Sequence, residues 1–388
     1  MKILIIVKDI GGNAAGIIFS NYINALLVYD DIEITVLTNG QSIVNDQITK
    51  HYIVPNKKEC SNRVIKLFVL LLKLNLNNFF WKKAVKKVLK NNKYIDKFDL
   101  IISFVSGSTE ATANIGVYAS KLFRAKLYIH MVDPIPPPKG WEIYELYRKN
   151  LFFGIKKPLE FCDLVSLSND TMTAYQIALL GKEKKHFTLP NPVLAKCVKQ
   201  VKRMKSDNFF NYVFLGSAVT GARTPYKLFM AFEKISTDYP DSKIYFFGHS
   251  PRLDLNQIPE AIKSKIIFKN YTSDLDEAYS IADVFIDIDG DLEYDVFISS
   301  KLQLYLSINR PILSITGPNS PTRSLLKTMN KSTLITSFDL QELAKGLIDV
   351  RSIKVNKGFY EERNAFLEKN QLSVFTNLLC NKLQEIVI

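Results

Sequence analysis

Short apolar runs alternate along the chain with segments of helix length, and this alternation restricts the fold more than any other feature. In the first half the apolar runs lie at residues 2–7, 32–38, 100–105, 126–132 and 164–168. Several of them are apolar at every position, which is typical of strands buried on both faces of a parallel sheet. The pattern begins again in the second half, with runs at residues 211–217, 243–248, 266–270, 283–289 and 311–316. It predicts an α/β protein with two Rossmann-like, doubly wound parallel-sheet domains.

The chain length and one irregular segment indicate where the domains divide. A chain of 388 residues exceeds the size of one ordinary hydrophobic core. Pro190 and Pro192 break any helix in the middle of the chain, and a basic polar run without a strong period follows them. We therefore predict a first domain, a linker, a second domain, and a C-terminal helical segment that packs back across the lobes, at residues 1–192, 193–208, 209–360 and 361–388. Doubly wound sheets bind ligands at the carboxyl ends of their strands, so a cleft lined by both sheets is the expected site.

The charge and cysteine content restrict the partners and the compartment. A net charge of +13 indicates an anionic partner, which leaves nucleic acid, nucleotide phosphates and an acidic membrane surface open. The four cysteines are far apart and form no CxxC pair, which indicates neither a zinc site nor a disulfide framework and favours a reducing cytoplasm. The N-terminal apolar run is short and is followed by Lys8, so it predicts a first strand and not a signal peptide.

Residues 57–93 form a basic and hydrophobic segment. They include eleven Lys and Arg residues, with Glu59 as the only acid. The apolar stretch at residues 64–76 is shorter than the roughly 20 residues that a transmembrane helix needs. Apolar residues next to a lysine-rich run favour a helix that lies on an anionic membrane surface. A core helix followed by a solvated helix is the alternative.

The first strand runs into a glycine loop. Gly11 and Gly12 precede a helix that is predicted to begin near residue 17. Glycines let backbone N–H groups approach an anion, and a helix N-terminus adds partial positive charge. The spacing is not GxGxxG and no acidic residue ends the second strand, so a dinucleotide site is disfavoured. A turn that only connects strand and helix is the alternative.

Two loops of the second half also combine small residues with cations. In one, Gly216 is followed by Arg223 and Lys227, which stand about one helical turn apart and can hold a diphosphate. In the other, Ser299 or Ser300 is a candidate N-cap and Lys301 falls in the first helical turn. A cation there opposes the helix macrodipole, and a bound anion would remove the conflict. A solvated basic helix start and an ordinary cap are the alternatives.

The order of these features resembles a GT-B fold glycosyltransferase of the large retaining family, similar to family 4, that uses nucleotide sugars to build bacterial surface polysaccharides. The matching stretches cover nearly the whole chain: the Gly11-Gly12 loop, LPNPV at residues 189–193, FLG at residues 214–216 through Lys227, ADVFID at residues 282–287, SSKL at residues 299–302, YL at residues 305–306 and RPIL at residues 310–313.

The resemblance implies a site for the donor diphosphate at the helix that follows Ser-Lys-Leu, neutralised by Arg and Lys without a metal or other cofactor. The residues that it places at the donor are Arg223, Lys227, Ser300 and Lys301, with Gly12 from the first domain. The loops themselves add Gly11, Gly216, Ser299 and His249 as donor-site candidates, and a turn cap is the alternative for His249. It also implies a His or Asp near the end of the strand at residues 126–132, facing the acceptor hydroxyl. His130 and Asp133 are the candidate catalytic residues, and histidine suits proton transfer near neutral pH. A structural histidine in an apolar strand is the alternative for His130.

The chain departs from the family pattern at two positions. Family members place a carboxylate in a Glu-Tyr-Leu context to hold the donor ribose, and this chain has Leu304 before Tyr305. The other position of the usual carboxylate pair is Val296, although Glu293 and Asp295 are nearby.

We expect a cytoplasmic enzyme, peripheral on the inner face of the cell membrane, that transfers a sugar from a nucleotide-diphosphate donor to a glycan or lipid-linked acceptor. The first alternative is a GT-B scaffold or binding subunit of a polysaccharide assembly complex, which the leucine at position 304 favours. The second is a nucleic-acid-binding α/β protein. The sequence shows no RNA or DNA module, and its basic residues stand beside leucines and phenylalanines and not between stacking aromatics.

Overall fold

The chain forms two compact units in a computed structural model. The residues described are 1–11, 13–40, 47–55, 79–93, 96–107, 109–141, 144–204, 208–216, 222–248, 253–270 and 274–387. The first unit comprises Met1–Pro138, Ile143–Pro192 and Leu372–Ile388. The second comprises Lys139–Glu142 and Val193–Gln371. Each unit is built on a parallel sheet, so the predicted fold class is confirmed.

The first unit contains a seven-stranded parallel sheet. Its strands are β1 (Lys2–Ile6), β2 (Glu33–Thr38), β3 (Lys50–Ile53), β4 (Leu100–Val105), β5 (Lys126–Met131), β6 (Leu164–Leu167) and β7 (His186–Thr188). Their order is β3-β2-β1-β4-β5-β6-β7, so the direction of winding reverses between β1 and β4. The helices are α1 (Ala14–Leu26), α2 (Phe79–Asn91), α3 (Glu110–Phe123), α4 (Glu145–Phe161), α5 (Asp170–Leu180) and, from the end of the chain, α12 (Leu372–Val387).

The second unit contains a six-stranded parallel sheet. Its strands are β8 (Phe210–Leu215), β9 (Ser242–Phe247), β10 (Ile266–Lys269), β11 (Val284–Ile288), β12 (Ile312–Ile315) and β13 (Thr333–Thr336). Their order is β10-β9-β8-β11-β12-β13, with the reversal between β8 and β11. The α-helices are α6 (Tyr226–Ile235), α7 (Asp276–Ile281), α8 (Ser300–Leu306), α9 (Pro321–Leu326), α10 (Leu340–Asp349) and α11 (Lys357–Lys369).

Residues 193–201, predicted as part of a linker, pack within the second unit. Val193 and Val198 are buried in one cluster with Phe359 and Leu367. The backbone N–H of Lys199 donates to the carbonyl of Ser307. The prediction of a separate linker was wrong for these residues because their apolar side chains and backbone groups find partners in this unit.

The predicted C-terminal segment at residues 361–388 divides between the units. Its first part lies in α11 of the second unit, and α12 belongs to the first unit. The side chains of Phe375, Leu379 and Leu383 are buried in the same core as those of β1 and α1. A fully buried side chain of this kind contributes about 1.5–3 kcal/mol, so α12 is a substantial part of the first core.

Helix α2 is the described part of the basic segment at residues 57–93, because residues 57–78 lie outside the described residues. Its Trp81, Val85 and Leu89 are buried. The Trp81 indole N–H donates to the carbonyl of Val54 over 2.8 Å. Phe79 is about half exposed, with 45% of its surface accessible. Within the described ranges, no helix combines the length and apolar character that crossing a membrane requires.

Candidate functional site

The reversal between β8 and β11 brings two separately predicted residues of the second unit together. Gly216 follows β8, and Lys301 lies in the first turn of α8. A Cβ atom on Gly216 would stand 2.4 Å from Lys301 Cε. Gly216 also has a φ of +92°, which a residue with a side chain rarely adopts. The glycine therefore provides both the backbone turn and the space through which the lysine side chain passes.

Two buried aspartates lie at the carboxyl end of β11. Asp287 belongs to the strand and Asp289 follows it by one residue, and both side chains are buried. Burial, together with the neighbouring charge of Asp287, raises the pKa of Asp289 to about 8, against the opposing effect of Arg223. The hydroxyls of Ser320 and Thr322 donate to the two Asp289 oxygens over 2.5 and 3.2 Å. Both carboxylates of this pair are therefore harder to ionise than an exposed aspartate.

The half-buried Lys301 shares its electrostatic surroundings with Arg223 and Asp287. Burial and the neighbouring charge of Arg223 lower the pKa of Lys301 to about 8, whereas Asp287 opposes the shift. In turn, Arg223 and Lys301 act against the effect of burial, which raises the pKa of Asp287. A second negative charge beside Lys301 would raise its pKa again, so this group of residues is suited to receive an anion.

Trp141 contacts two polar residues of the same site, although it comes from a distant part of the sequence. Its ring centroid lies 5.5 Å from the Arg223 guanidinium carbon. Its indole N–H donates to Asp295 Oδ1 over 3.3 Å. Within the described chain, the buried Arg223 Nε and Asp295 Oδ2 have no hydrogen-bond partner. Unpaired buried polar atoms are rare in folded proteins, and a bound ligand is one way to satisfy them.

The remaining donor-site predictions have different outcomes. Ser299 occupies the N-cap position of α8, but its hydroxyl makes no capping bond and instead bonds to Asp287. Ser300 is exposed at the first position of α8. Lys227 is half exposed, and its Nζ lies 2.6 Å from Asp291 Oδ2, so it already has an acidic partner. The other two predicted residues, Gly12 and His249, lie outside the described residues.

Leu304 occupies the position where the family places a ribose-binding carboxylate. Its side chain packs against the apolar cluster that contains Leu302, Tyr305 and Leu306. The hydroxyl of Tyr305 accepts the backbone N–H of Leu215 over 2.9 Å, which fastens α8 to the end of β8. Position 304 therefore supports the core of the second unit.

The carboxyl edge of the first sheet carries the other glycine loop. Gly11 has a φ of +75°, and the first turn of α1 approaches it closely, because a Cβ atom on Gly16 would lie 2.4 Å from the Gly11 carbonyl oxygen. The Asn13 side chain caps α1 by accepting the backbone N–H of Gly16 over 2.8 Å. Lys8 and Thr109 line a small crevice beside this turn.

Asp133 lies two residues beyond β5, at the same edge of the first sheet. Its Oδ2 accepts the backbone N–H of Gly107 over 3.0 Å. Burial raises the pKa of Asp133, and this hydrogen bond opposes the rise. The buried Gln176 side chain exchanges two hydrogen bonds with the backbone of Ile135, of 2.8 and 3.0 Å, and so fixes the segment after Asp133. Gln176 gave no signal in the sequence because it lies within a helix.

His130 lies in the core of the first unit, and its predicted catalytic role is wrong. The side chain is 0% exposed, and the rings of Phe19, Tyr22 and Phe104 contact it edge-on. Its Nδ1 lies 2.8 Å from the hydroxyl of Ser166. Burial lowers the pKa of His130 to about 3, so the imidazole is neutral near pH 7 and lies among aromatic side chains.

This burial predicts a pH-dependent stability that His130→Asn should remove. The unfolded chain binds a proton at His130 below about pH 6.5, whereas the folded chain does so only near pH 3. The free energy of unfolding therefore falls as the pH falls through this window, by about 2 kcal/mol between pH 8 and pH 5. Urea unfolding of both proteins at the two pH values measures the difference. An equal change in the two proteins would show that His130 is accessible in the folded state.

The comparisons with solved structures concern the fold. Anabaena Alr3699/HepE in complex with UDP-glucose matches with a TM-score of 0.68 and 14% sequence identity, over 99% of this chain and 100% of that chain. Sucrose-phosphate synthase from Thermosynechococcus elongatus matches with a TM-score of 0.67 and 12% identity, over 99% of both chains. The apo lipopolysaccharide outer core galactosyltransferase WaaB matches with a TM-score of 0.65 and 12% identity, over 99% of both chains.

No protein-family model matches the chain, and no curated protein matches its sequence. The structural matches extend over the whole chain and both sheets have the doubly wound order. The chain therefore has the GT-B fold that the sequence resemblance predicted.

Proposed function

We propose that this GT-B chain is a glycosyltransferase that moves a sugar from a nucleotide-diphosphate donor to a glycan or lipid-linked acceptor in surface polysaccharide biosynthesis. The observation that carries the proposal is the group of Arg223, Lys301 and Asp287 at the reversal of the second sheet. Reversals of this kind are where doubly wound sheets bind ligands. The likeness to HepE, whose structure contains UDP-glucose, supports a UDP-sugar as the first donor to test.

In this proposal, the second unit stabilises the leaving diphosphate. Arg223 and Lys301 supply positive charge where negative charge develops, and such fixed electrostatic groups contribute strongly to catalysis. Asp287 interacts favourably with both cations, and the raised pKa of Asp289 limits the negative charge nearby. Transfer without a metal and with retention of the anomeric configuration belongs to the proposal through the family resemblance.

Two carboxylates have proposed roles toward the substrates. Asp295 Oδ2, which has no partner among the described residues, accepts a donor hydroxyl in place of the carboxylate that Leu304 replaces. Asp133, at the carboxyl edge of the first sheet, faces the acceptor hydroxyl and receives its proton. Its raised pKa makes it a stronger base than an exposed aspartate.

Thermal denaturation with a panel of UDP-, GDP-, CMP- and ADP-sugars tests the donor site. One nucleotide class should stabilise the folded chain, by about 2.7 kcal/mol at a ligand concentration of 100 times Kd. The stabilisation should be lost in Arg223→Ala, which removes a charge that acts on both Asp287 and Lys301. If no nucleotide sugar stabilises the protein, the proposed function is excluded.

A GT-B scaffold or binding subunit is the second candidate, and the apolar packing of Leu304 favours it. Both candidates predict nucleotide binding, so binding does not separate them. Turnover separates them, because only the enzyme releases free nucleotide from the stabilising sugar donor when acceptor-containing membranes are added. Stabilisation without any turnover would assign the binding role.

Peripheral association with the inner face of the membrane is a further part of the proposal. The exposed rings of Phe79 and Phe80 stand at the start of α2, and Lys83, Lys86 and Lys87 are exposed along the helix. Rings and lysines together suit an anionic lipid surface. Flotation with anionic liposomes should fall when the three lysines are changed to glutamine, and unchanged flotation would remove this part of the proposal.

A further inference from the structure

A cavity of about 580 Å³ opens in the first unit near the ends of α2 and α3. Four cationic side chains line it, those of Lys93, Lys97, Lys121 and Arg124, together with Asp96 and Tyr118. Cavities of roughly 300–1,000 Å³ are the size of small-ligand sites. The volume therefore admits an organic anion, and the lining is strongly positive.

The cavity lies away from the candidate site of the same unit. Helix α3 follows β4 and ends at Phe123, just before β5 begins at Lys126. In a parallel sheet the helix end that precedes a strand lies at the amino ends of the strands. Gly107 and Asp133 follow the carboxyl ends of β4 and β5, at the opposite edge of the sheet. The cavity is thus separate from the edge proposed to face the acceptor.

The carboxylate of Asp96 neutralises little of the positive charge on the side chains that line the cavity. Asp96 already accepts hydrogen bonds from Lys50 over 3.1 Å and from the hydroxyl of Tyr52 over 2.7 Å. Within the described ranges, Lys97, Lys121 and Arg124 form no ion pair with an acidic residue. The carboxyl ends of two helices favour nearby cations, but each end carries only about half an elementary charge. The helix ends therefore do not balance the cluster.

Arg124 occupies a backbone conformation that arginine disfavours. It is the C-cap of α3, with φ 56° and ψ 37°, in the left-handed region. Helix α5 of the same unit ends at the equivalent position in Gly181, with φ 66°, which is the residue that this conformation prefers. An arginine at such a position adds strain that a glycine would avoid, and in exchange it places a guanidinium at the cavity.

We propose that this cavity binds a phosphate-bearing ligand, with Arg124 and Lys121 as its principal contacts. A guanidinium pairs two of its N–H groups with phosphate oxygens, and a lysine adds a point charge. Tyr118 provides a ring surface for the organic part of the ligand, and Lys86 Nζ lies 5.2 Å from the centre of that ring. The proposal does not depend on sugar transfer, because none of these residues belongs to the candidate donor or acceptor site.

Calorimetric titration with inorganic pyrophosphate at low ionic strength tests the proposal. All proteins compared carry Arg223→Ala and Lys301→Met, so that the candidate donor site lacks both of its proposed phosphate-binding cations. Arg124→Gly should weaken binding at least tenfold, and Lys121→Gln should weaken it by a similar factor. Arg124→Lys, which keeps the charge, should weaken it less than Arg124→Gly. Lys354→Gln, which removes an exposed cation of the second unit, should leave binding unchanged.

Arg124→Gly also serves as a control for folding. Glycine adopts the left-handed conformation without steric cost, so the melting temperature should stay the same or rise by about 2 °C. Weaker binding in a protein of equal or greater stability then comes from the lost guanidinium. Pyrophosphate affinity equal to that of the parent protein in both Arg124→Gly and Lys121→Gln would overturn the proposal, as would an equal loss in Lys354→Gln.

The same variants distinguish a lipid headgroup from a soluble phosphate compound. Binding is also measured to vesicles of phosphatidylcholine in which about one lipid in five is phosphatidic acid. These vesicles present a phosphate group on a membrane surface. If Arg124→Gly lowers both pyrophosphate and vesicle binding, the ligand is a phospholipid headgroup. If it lowers pyrophosphate binding alone, the ligand is soluble. Both results support a phosphate site.

Discussion

Replacing Lys301 with methionine is expected to lower kcat for sugar transfer by about 10²–10³-fold, the usual effect of removing one fixed charge-stabilising group. Methionine preserves most of the length and apolar surface of the side chain that lies over Gly216. What is lost is the positive charge that interacts with Asp287 and that we propose meets the leaving diphosphate. Steady-state kinetics with the stabilising nucleotide sugar would measure the change.

Lys234→Met provides the matched control. Lys234 is an exposed residue in the last turn of α6, so the same substitution removes a lysine charge outside the site. We expect its kcat to remain within about twofold of the parent, because exposed charges contribute little. If Lys301→Met transfers sugar as fast as this control, Lys301 does not stabilise the leaving group.

Arg363→Met is expected to lower the free energy of unfolding of the second unit by about 3–5 kcal/mol. Arg363 is 0% exposed and donates to the backbone carbonyls of Tyr305, Arg310 and Ser332 over 2.8–3.0 Å. Methionine fills similar volume but leaves these buried acceptors without a donor. Burial lowers the pKa of Arg363 to about 9, so the charge remains at neutral pH and strengthens the bonds.

Urea unfolding measures the effect, with the whole curve recorded because two units can unfold in separate transitions. Lys357→Met, in the same helix, is the control. The Lys357 side chain is 90% exposed, and its substitution should change the free energy of unfolding by less than about 0.5 kcal/mol. Equal stability of the two variants would mean that water or other groups replace the guanidinium.

The central strands were predictable from the sequence, and so was the edge strand β10, but the other three edge strands were not. β1, β4, β8 and β11 lie in the middle of their sheets and are buried on both faces, so their apolar runs were visible. The strands β3, β7 and β13 lie at or near the outer edges, contain three or four residues each, and have the sequences KHYI, HFT and TLIT. An edge strand is paired on one side only and needs no continuous apolar run, so local patterns gave no signal for these three strands.

The candidate donor site was predictable in part. Gly216 and Lys301 were recognised as separate features, each next to a strand end, and strand pairing brings them together. Trp141 was missed because its contacts with Arg223 and Asp295 join parts of the sequence that no local pattern connects. His130 was misplaced because an apolar strand does not reveal whether a polar side chain within it points to the core or to the strand end.

The assignment of α12 to the first unit affects the order in which the chain can fold during synthesis. The core around β1 and α1 remains incomplete until Phe375, Leu379 and Leu383 have emerged from the ribosome. By then every residue of the second unit, which ends at Gln371, has already been translated. The half of the protein that is made first is therefore the half that completes its folding last, and its unfinished apolar surface stays exposed while the rest of the chain is made.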